Sequence, residues 1–560
     1  MIKNYLSLFI LIIIVSTYSC SPKKEDSKTI APDIDNGEIF LPEKFGALIV
    51  ADSLGRGRHL VVNENGDIYV HLGRLTDDGH GIIALRDTTG DGRADVREGF
   101  SNVTGTGIKI HKDYLYYSSR TEVFRSPIEP GSLLPKPLTD TLVRMVGGGG
   151  HMEKTFTFDG QGNMYVNIGS ESNACQEVKR TEGSPGIDPC VELETRAGIW
   201  KFRDDLIRQQ QDIQQRYATG IRNAVAVSWN EQVNRLFALQ HGRDDLHRFW
   251  PDYFTEQQNV DLPAEEFIDI EEGDDFGWPY CYWDPFKNSK LLNPEYGGDG
   301  VKTERCEGIK KPLLGFPGHW APNDLLFYTG DMFPEKYKNG AFIAWHGSWN
   351  RLGHDQAGYN VVFVPMKEGR PSGNWEIFAD GFKGPKPLSS PGDARFRPCG
   401  LAEGPDGSLY VVDSQIGRVW RIMYYPGGIT ETVGAPHEHV TVETKEKEVA
   451  EALLAGKRVY DSYCLPCHMG NGLGAPGMNP PLAGTEYVLG DKDRLIKVIL
   501  QGLNEPIEIK GEIYQNVMAS HSFLSDQQVA DVLSFVRQSF GNDASEVTPE
   551  EVKQVRSSIQ

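Results

Sequence analysis

A chain of 560 residues is too long for one hydrophobic core, so at least two folded units are expected. The formal net charge of −21, with no long Lys/Arg run, excludes the basic face that a nucleic-acid partner requires. With 61 Gly and 33 Pro, a turn-rich β protein is favoured over a helical one.

In chain order, residues 1–20 come first and read as a targeting segment. Lys3 supplies a positive charge, and Leu6 to Val15 form an apolar run too short for a typical membrane-spanning helix. The segment resembles a bacterial lipoprotein signal in which Cys20 is lipidated, although Thr17-Tyr18-Ser19-Cys20 departs from the usual leucine-led motif. A plain secretion signal is the alternative. Either way the protein is expected in the bacterial cell envelope, exported, with a lipid anchor as its membrane contact at the periplasmic or outer-membrane side. Residues 21–44 read as a polar tether.

Between residues 45 and 425 one pattern recurs: an apolar strand, a turn with Gly or Asn, and a second strand. Clear copies occupy 60–70, 155–166 and 400–411, and looser ones surround Tyr114-Leu115-Tyr116, Arg235-Leu236-Phe237 and Ala341-Phe342-Ile343. Asn-Gly and Asp-Gly between alternating apolar residues signal hairpins, because such turns need positive φ. Six irregularly spaced copies predict an all-β six-bladed β-propeller with long inserted loops. A pair of β-sandwiches is the alternative. Helical periodicity is confined to Leu206 to Tyr217. Asp87, Asp91 and Asp95 are spaced around Gly turns like a calcium loop, but the third-position Asp and twelfth-position Glu are missing, so a polar surface hairpin is an equal reading. In an oxidising compartment Cys175 with Cys190, and Cys281 with Cys306, are close enough in sequence to staple loops, which leaves Cys399 over.

Residues 426–447 form a linker, after which apolar residues recur at helical spacing. Residues 448–540 are therefore a small all-α domain, followed by a polar tail or frayed helix over 541–560. Within it, Cys464-Leu465-Pro466-Cys467-His468 has the spacing that attaches one haem c by two thioethers and places a histidine on the iron. A zinc site would need a second ligand pair, and none follows. The region resembles class I cytochromes c through Gly470-Asn471-Gly472, Pro480-Pro481-Leu482-Ala483-Gly484 and Met518 ahead of the last helix. The resemblance makes Met518 the distal iron ligand, with Met478 and His521 as competitors.

A haem alone does not oxidise a substrate, so a second redox cofactor is wanted. No Gly-x-Gly-x-x-Gly opens a βα unit, which argues against a nicotinamide or flavin fold. Polar residues recur just ahead of the first strand of several repeats: Arg58, His151, Arg222 with Asn223, and Arg395 with Arg397. If these strands are innermost, their side chains meet at one mouth of the central channel, where several arginines need an anion among them. A tricarboxylated quinone, pyrroloquinoline quinone (PQQ), would serve.

The matching segments Gly148-Gly149-Gly150-His151, Gly220-Ile221-Arg222-Asn223, His241-Gly242-Arg243-Asp244-Asp245-Leu246, Gly277-Trp278-Pro279, His346-Gly347-Ser348-Trp349-Asn350-Arg351 and Arg395-Phe396-Arg397 resemble the soluble quinoprotein glucose and sorbosone dehydrogenases, with the sorbosone branch nearer. The resemblance implies a six-bladed propeller using PQQ and Ca²⁺. It makes His151 the general base and puts Arg58, Arg222, Asn223, His346, Arg395 and Arg397 around quinone or substrate. Calcium would lie on the backbone carbonyls of Gly242 and Arg243, although Arg243 stands where glucose dehydrogenase has proline. The function then expected is oxidation of a sugar, or a related polyol or aldehyde, with electrons passed to the chain's own haem and on to a downstream redox protein. A calcium-dependent propeller lactonase and a non-catalytic binding propeller are the rivals.

Overall fold

The computed structural model describes residues 30–429 apart from 138, 352–355, 386–387 and 389, and residues 453–559 apart from 454–455, 458, 461–462, 469–471, 475–478 and 523. Cys20 with its signal segment, most of the linker, the side chain of Cys467, and Met478 lie outside the described residues.

Six blades make up residues 45–424, each with four antiparallel strands, and one of them gains a fifth, parallel strand at Gln209–Gln210. Their first strands are Gly57–Val62, Ile108–His111, Phe156–Phe158, Ala226–Asn230, Pro322–Phe327 and Pro398–Glu403. Each of these packs on the corresponding strand of the next blade in a closed ring, so they line the channel. All six sequence repeats fall on the first two strands of a blade, which excludes the sandwich pair. The turn glycines Gly66, Gly160 and Gly407 have φ of 89, 69 and 82°, as the hairpin signal requires. The ring closes when the N-terminal strand Phe45–Ala51 pairs antiparallel with Val419–Tyr424, matching Phe45 to Tyr424. Apolar side chains such as Phe342, Val361 and Trp420 are fully buried between the sheets.

Two sequence expectations change here. From residue 30 onward the tether is docked: Ile39 is buried, Trp420 Nε1 donates to the Gly37 carbonyl at 2.9 Å, and Phe40 bridges Asp380. The helix expected around 206–217 is instead a strand Gln209–Gln210, a single turn Ile213–Gln215 and a strand starting at Arg216. Leu206, Ile207 and Ile213 are exposed, so no core face is available to hold a helix there.

The C-terminal unit packs Lys492–Gln501, Asp526–Gln538 and Pro549–Ile559 around Ile496, Val529, Leu533 and Val552. Ser525 and Gln528 form a reciprocal cap that starts Asp526–Gln538. A short hairpin, Ile507–Ile509 with Glu512–Tyr514, interrupts the all-helical pattern. The expected polar tail is part of this core. Val552 and Val555 are buried, and Arg556 ties the last helix to Asp526 at 2.7 Å. Apolar residues three apart are enough to dock a helix whose other faces are polar.

Candidate active site

At one mouth of the channel the blades present equivalent positions. In four of the six blades the residue following the second strand donates to a residue ahead of the first strand. Gly73 N donates to Arg56 O, His241 N to Asn223 O, His346 N to Ala321 O and Ser414 N to Arg397 O, while His151 N donates to Ser170 O. One ring therefore collects Arg56, His151, Asn223, His241, His346 and Arg397, with Arg58 one strand position further in.

His151 reaches the rim on a turn that glycine makes possible. Gly148 and Gly149 have φ of 77 and 90°, and a Cβ on Gly149 would lie 2.9 Å from Glu171 Cα. His151 Nδ1 lies 3.0 Å from Ser170 O and 2.9 Å from Ser170 Oγ. The carbonyl can only accept, so Nδ1 carries the hydrogen and Nε2 keeps its lone pair. Burial, and then the neighbouring Arg222 charge, lower its pKa to about 3, so the ring is neutral at physiological pH.

Arg222 is almost fully buried and fixed on four sides. Its guanidinium donates to Asn173 O at 3.2 Å, Gly242 O at 2.8 Å, Asn173 Oδ1 at 2.9 Å and Asp244 Oδ2 at 3.0 Å. Arg397 donates to His346 O, His346 Nδ1 and Gly347 O at 3.0, 2.8 and 2.7 Å. Since Arg397 can only donate, His346 Nδ1 is the acceptor and its Nε2–H donates to Ser414 Oγ at 2.6 Å. His346 thus has both nitrogens engaged and holds Arg397 in place. Asn223 Oδ1 accepts from Asn167 Nδ2 at 3.2 Å, and Arg58 Nε donates to Thr106 Oγ1 at 3.0 Å.

Arg56, Arg58 and Arg397 act together to hold the His346 pKa well down after burial has lowered it. Burial also lowers the pKa of Arg397 itself, and Arg58 and Arg56 push it further the same way. The ionised carboxylates among these groups are Glu153 and Asp244. Burial is the largest influence and would raise both pKa values, but Arg58 with the Thr106 hydrogen bond, Arg120 and Lys154 together outweigh it at Glu153, as Arg222, His319 and Arg180 together do at Asp244. The mouth therefore carries surplus positive charge inside a strongly acidic chain, and a polycarboxylate fits it.

Three sequence expectations are not brought to this cluster. Arg395 turns away to pair with Glu38 and is half-exposed. The Arg243 side chain is buried in an ion pair with Glu295. The calcium donors do not assemble among the described residues. The Gly242 carbonyl already accepts from Arg222, a cation, and no cluster of three or more acidic, histidine or cysteine ligands exists there. Asp87 spends its carboxylate on the backbone N–H groups of Thr89, Gly90 and Gly92, Asp95 accepts from Thr88, and Asp91 accepts from Arg93 N. The loop is a self-bonded hairpin, and no step is routed through calcium.

Ser170, Asn173, His241 and Asp244 complete the site without having been assigned a role from sequence. His241 donates Nε2–H to Pro322 O at 2.7 Å, and burial lowers its pKa to about 4. The signal for Ser170 and His241 was positional: each follows the second strand of a repeat. The pairs Cys175–Cys190 and Cys281–Cys306 are disulfide-bonded, with Cα atoms 6.2 and 5.8 Å apart, and pin the loops beside the mouth. Cys399 is buried and unpaired by disulfide.

In the C-terminal unit His468 is buried and donates Nδ1–H to Pro480 O at 2.9 Å, leaving Nε2 to face a metal. It ends the helical turn Leu465–His468 that begins beside Cys464. Met518 packs on the same apolar cluster as Cys464 and Leu465, its backbone paired with Leu503. This donor set fits a haem c.

Residues 40–425 match the TrAA12-like family, and residues 453–540 match cytochrome c. The chain belongs to the TrAA12-like family. Its propeller is similar to the PQQ domain of pyranose dehydrogenase from Coprinopsis cinerea, solved in a holo form, with a TM-score of 0.55 and 20% identity over 69% of this chain and 97% of that one. A Trichoderma reesei carbohydrate-active enzyme of family AA12 superposes with a TM-score of 0.57 at 17% identity over 71% of this chain and 100% of that one. Behind this TrAA12-like domain, the cytochrome c unit is 40% identical to cytochrome c-552 of Thermus thermophilus over 118 residues, 19% of this chain and 78% of the relative. The chain is thus a TrAA12-like propeller followed by a cytochrome c domain.

Proposed function

We propose that the protein oxidises a sugar, or a related polyol or aldehyde, with PQQ at the channel mouth and passes the electrons to its own haem c. The observation that carries this reading is the neutral His151, its Nδ1–H spent on Ser170, beside the fixed Arg222 on a chain that also bears a haem-attachment motif.

When bound, the quinone supplies a two-electron acceptor for hydride from the substrate carbon. Arg58, Arg222 and Arg397 would hold its carboxylates, with Asn223 as a further polar contact. His151 Nε2 takes the proton from the substrate hydroxyl, a task suited to a neutral imidazole. The rigid bonds of Arg222 and Arg397 keep their charge aimed at the mouth, so no reorganisation is needed as negative charge develops there. Cys464 and Cys467 would attach the haem, and His468 and Met518 would hold its iron. Export as a lipoprotein through Cys20, with a separate redox protein as final acceptor, belongs to the same proposal. It is supported by the N-terminal segment and by the two disulfides.

Purified protein loaded with PQQ is to be mixed with a panel of aldoses, polyols and aldehydes while haem reduction is recorded. Substrate-dependent reduction that needs PQQ is expected. Haem that stays oxidised with every compound overturns the dehydrogenase reading.

A further inference from the structure

The base and the arginine beside it rest on one short segment. Ser170 is fully buried at a crossing of five bonds. Its N–H donates to the Arg222 carbonyl at 2.7 Å, and its own carbonyl accepts from His151 N at 3.3 Å and from His151 Nδ1. Its hydroxyl donates to Ser172 O at 2.7 Å. A serine hydroxyl has one hydrogen, so with that hydrogen given to Ser172 the oxygen can only accept from His151. Both acceptors that Ser170 offers to the ring therefore demand a hydrogen on Nδ1.

The segment is in turn gripped from the next loop. Glu192 accepts from Glu171 N at 2.7 Å, from Ser172 N at 3.1 Å and from the Ser172 hydroxyl. Ser172 Oγ also accepts from Cys175 N at 2.8 Å, and Cys175 is bonded to Cys190, two residues before Glu192. Further along the same loop Arg196, itself buried, donates to the carbonyls of Gly148 and Gly147, the turn that delivers His151. Two residues before Cys175, Asn173 supplies two of the four acceptors for Arg222.

We propose that Ser170, steadied by Glu192 just beyond the Cys175–Cys190 disulfide, is the positioning residue that fixes His151 as the Nδ1–H tautomer with Nε2 bare toward the mouth. The tautomer follows from the hydrogen-bond geometry alone. The catalytic consequence rests on the proposed function.

Two measurements separate these. In protein labelled with ¹⁵N at histidine, long-range ¹H–¹⁵N correlations report which nitrogen carries the hydrogen, with His151 assigned by its loss in His151→Gln. A neutral Nδ1–H ring is expected in the wild type, and in Ser170→Ala, which loses the hydroxyl but keeps the Ser170 carbonyl, a ring still mainly Nδ1–H with a measurable share of the Nε2–H form. A wild-type ring in the Nε2–H form, or a tautomer unmoved in Ser170→Ala, overturns the proposal whatever the protein catalyses. In PQQ-loaded protein the reductive step is followed by haem reduction. Ser170→Ala is expected to lower its kcat about tenfold to a hundredfold with KM little changed, on the scale of a lost orienting hydrogen bond to a general base. Ser170→Thr, which keeps the hydroxyl, should restore most of that rate. Glu192→Gln, which removes the charge but keeps one acceptor, should fall between. If Ser170→Thr is as slow as Ser170→Ala while both melt like the wild type, the hydroxyl has no positioning role.

Discussion

The channel mouth and the haem pocket use the same device on different histidines. His151 gives its Nδ1–H to Ser170 O and His468 gives its own to Pro480 O, at 3.0 and 2.9 Å. Each ring is thereby left with one directed lone pair. Their surroundings differ. His151 stands among Arg222, Asp244 and His241, while His468 is buried in the unit whose apolar cluster includes Leu465, Leu482 and Met518. An imidazole among charged groups can move a proton, whereas one buried in an apolar unit beside a haem-attachment motif can hold an iron. What the lone pair faces decides the chemistry, and the backbone carbonyl decides only that there is a lone pair to use.

If the two regions are separate devices, each can be disabled without the other. The largest effect is expected at the haem. Cys464→Ala with Cys467→Ala should let acid–acetone extract all of the haem, which stays on the wild-type protein, while a soluble dye still accepts electrons from substrate at the mouth. Loss of dye reduction as well would show that the propeller depends on the cytochrome. Next, His151→Ala should slow dye reduction by about two to four orders of magnitude, the usual span for a general base, and leave the haem spectrum untouched. His241→Gln should be far milder. The reverse ranking would transfer the base to His241, whose Nδ1 can also accept. Arg397→Ala should weaken PQQ binding about tenfold to a hundredfold by titration, since it removes charge-assisted bonds worth roughly 1.5–3 kcal/mol.

A smaller effect tests the charged surroundings of the mouth. Burial holds His71 and His241 at about 4 and His151 at about 3, each below the value near 6.5 of an unfolded chain. Between about pH 6.5 and pH 4 the unfolded chain binds protons that the folded one refuses. Stability is therefore full above pH 6.5 and falls as the pH drops through that window. By pH 5 the loss should be about 2 kcal/mol for the wholly buried His71, and less for the two at the mouth. Urea unfolding of the propeller at pH 7.5 and 5 checks this. A midpoint unchanged by pH would contradict the neutral state of these rings. The smallest effect is confined to the haem: Met518→Ala should remove the weak long-wavelength ferric band that sulfur ligation gives, with haem still attached. A band that persists transfers the role to Met478.

Much of this was legible in the sequence because it is periodic or spaced. Hairpin turns at Gly66, Gly160 and Gly407 announced blades, and Cys464 to His468 announced a haem. The mouth was legible only in outline. Arg397 and Arg395 are two residues apart and look equivalent, yet the chain ahead of the strand sends them to different partners: one reaches His346, the other Glu38. Asp244 was visible inside a motif, but that it holds Arg222 depends on a contact 22 residues away in sequence. Ser170 bonds His151 across 19 residues, and nothing in a serine's chemistry marks it in advance. Composition misled at the C-terminus, where the few apolar residues of 549–559 looked too sparse for a core until Lys492–Gln501 and Asp526–Gln538 supplied the other walls.

The pairing of Phe45 with Tyr424 puts the chain's way into the ring and its way out of it side by side. A pull between the segments on either side of the propeller would therefore load this sheet at one end. The bonds from Phe45 toward Ala51 would then open in succession, as in a zipper, rather than share the load in shear. Residues 30–44 alter that geometry. They fold back across the same sheet, where Asp33 pairs with Arg93 and accepts from Ile49 N, and Trp420 binds Gly37. Tension from the N-terminal side must peel this strip away before it reaches Phe45, so the strip works as a strain relief for the seam that closes the ring.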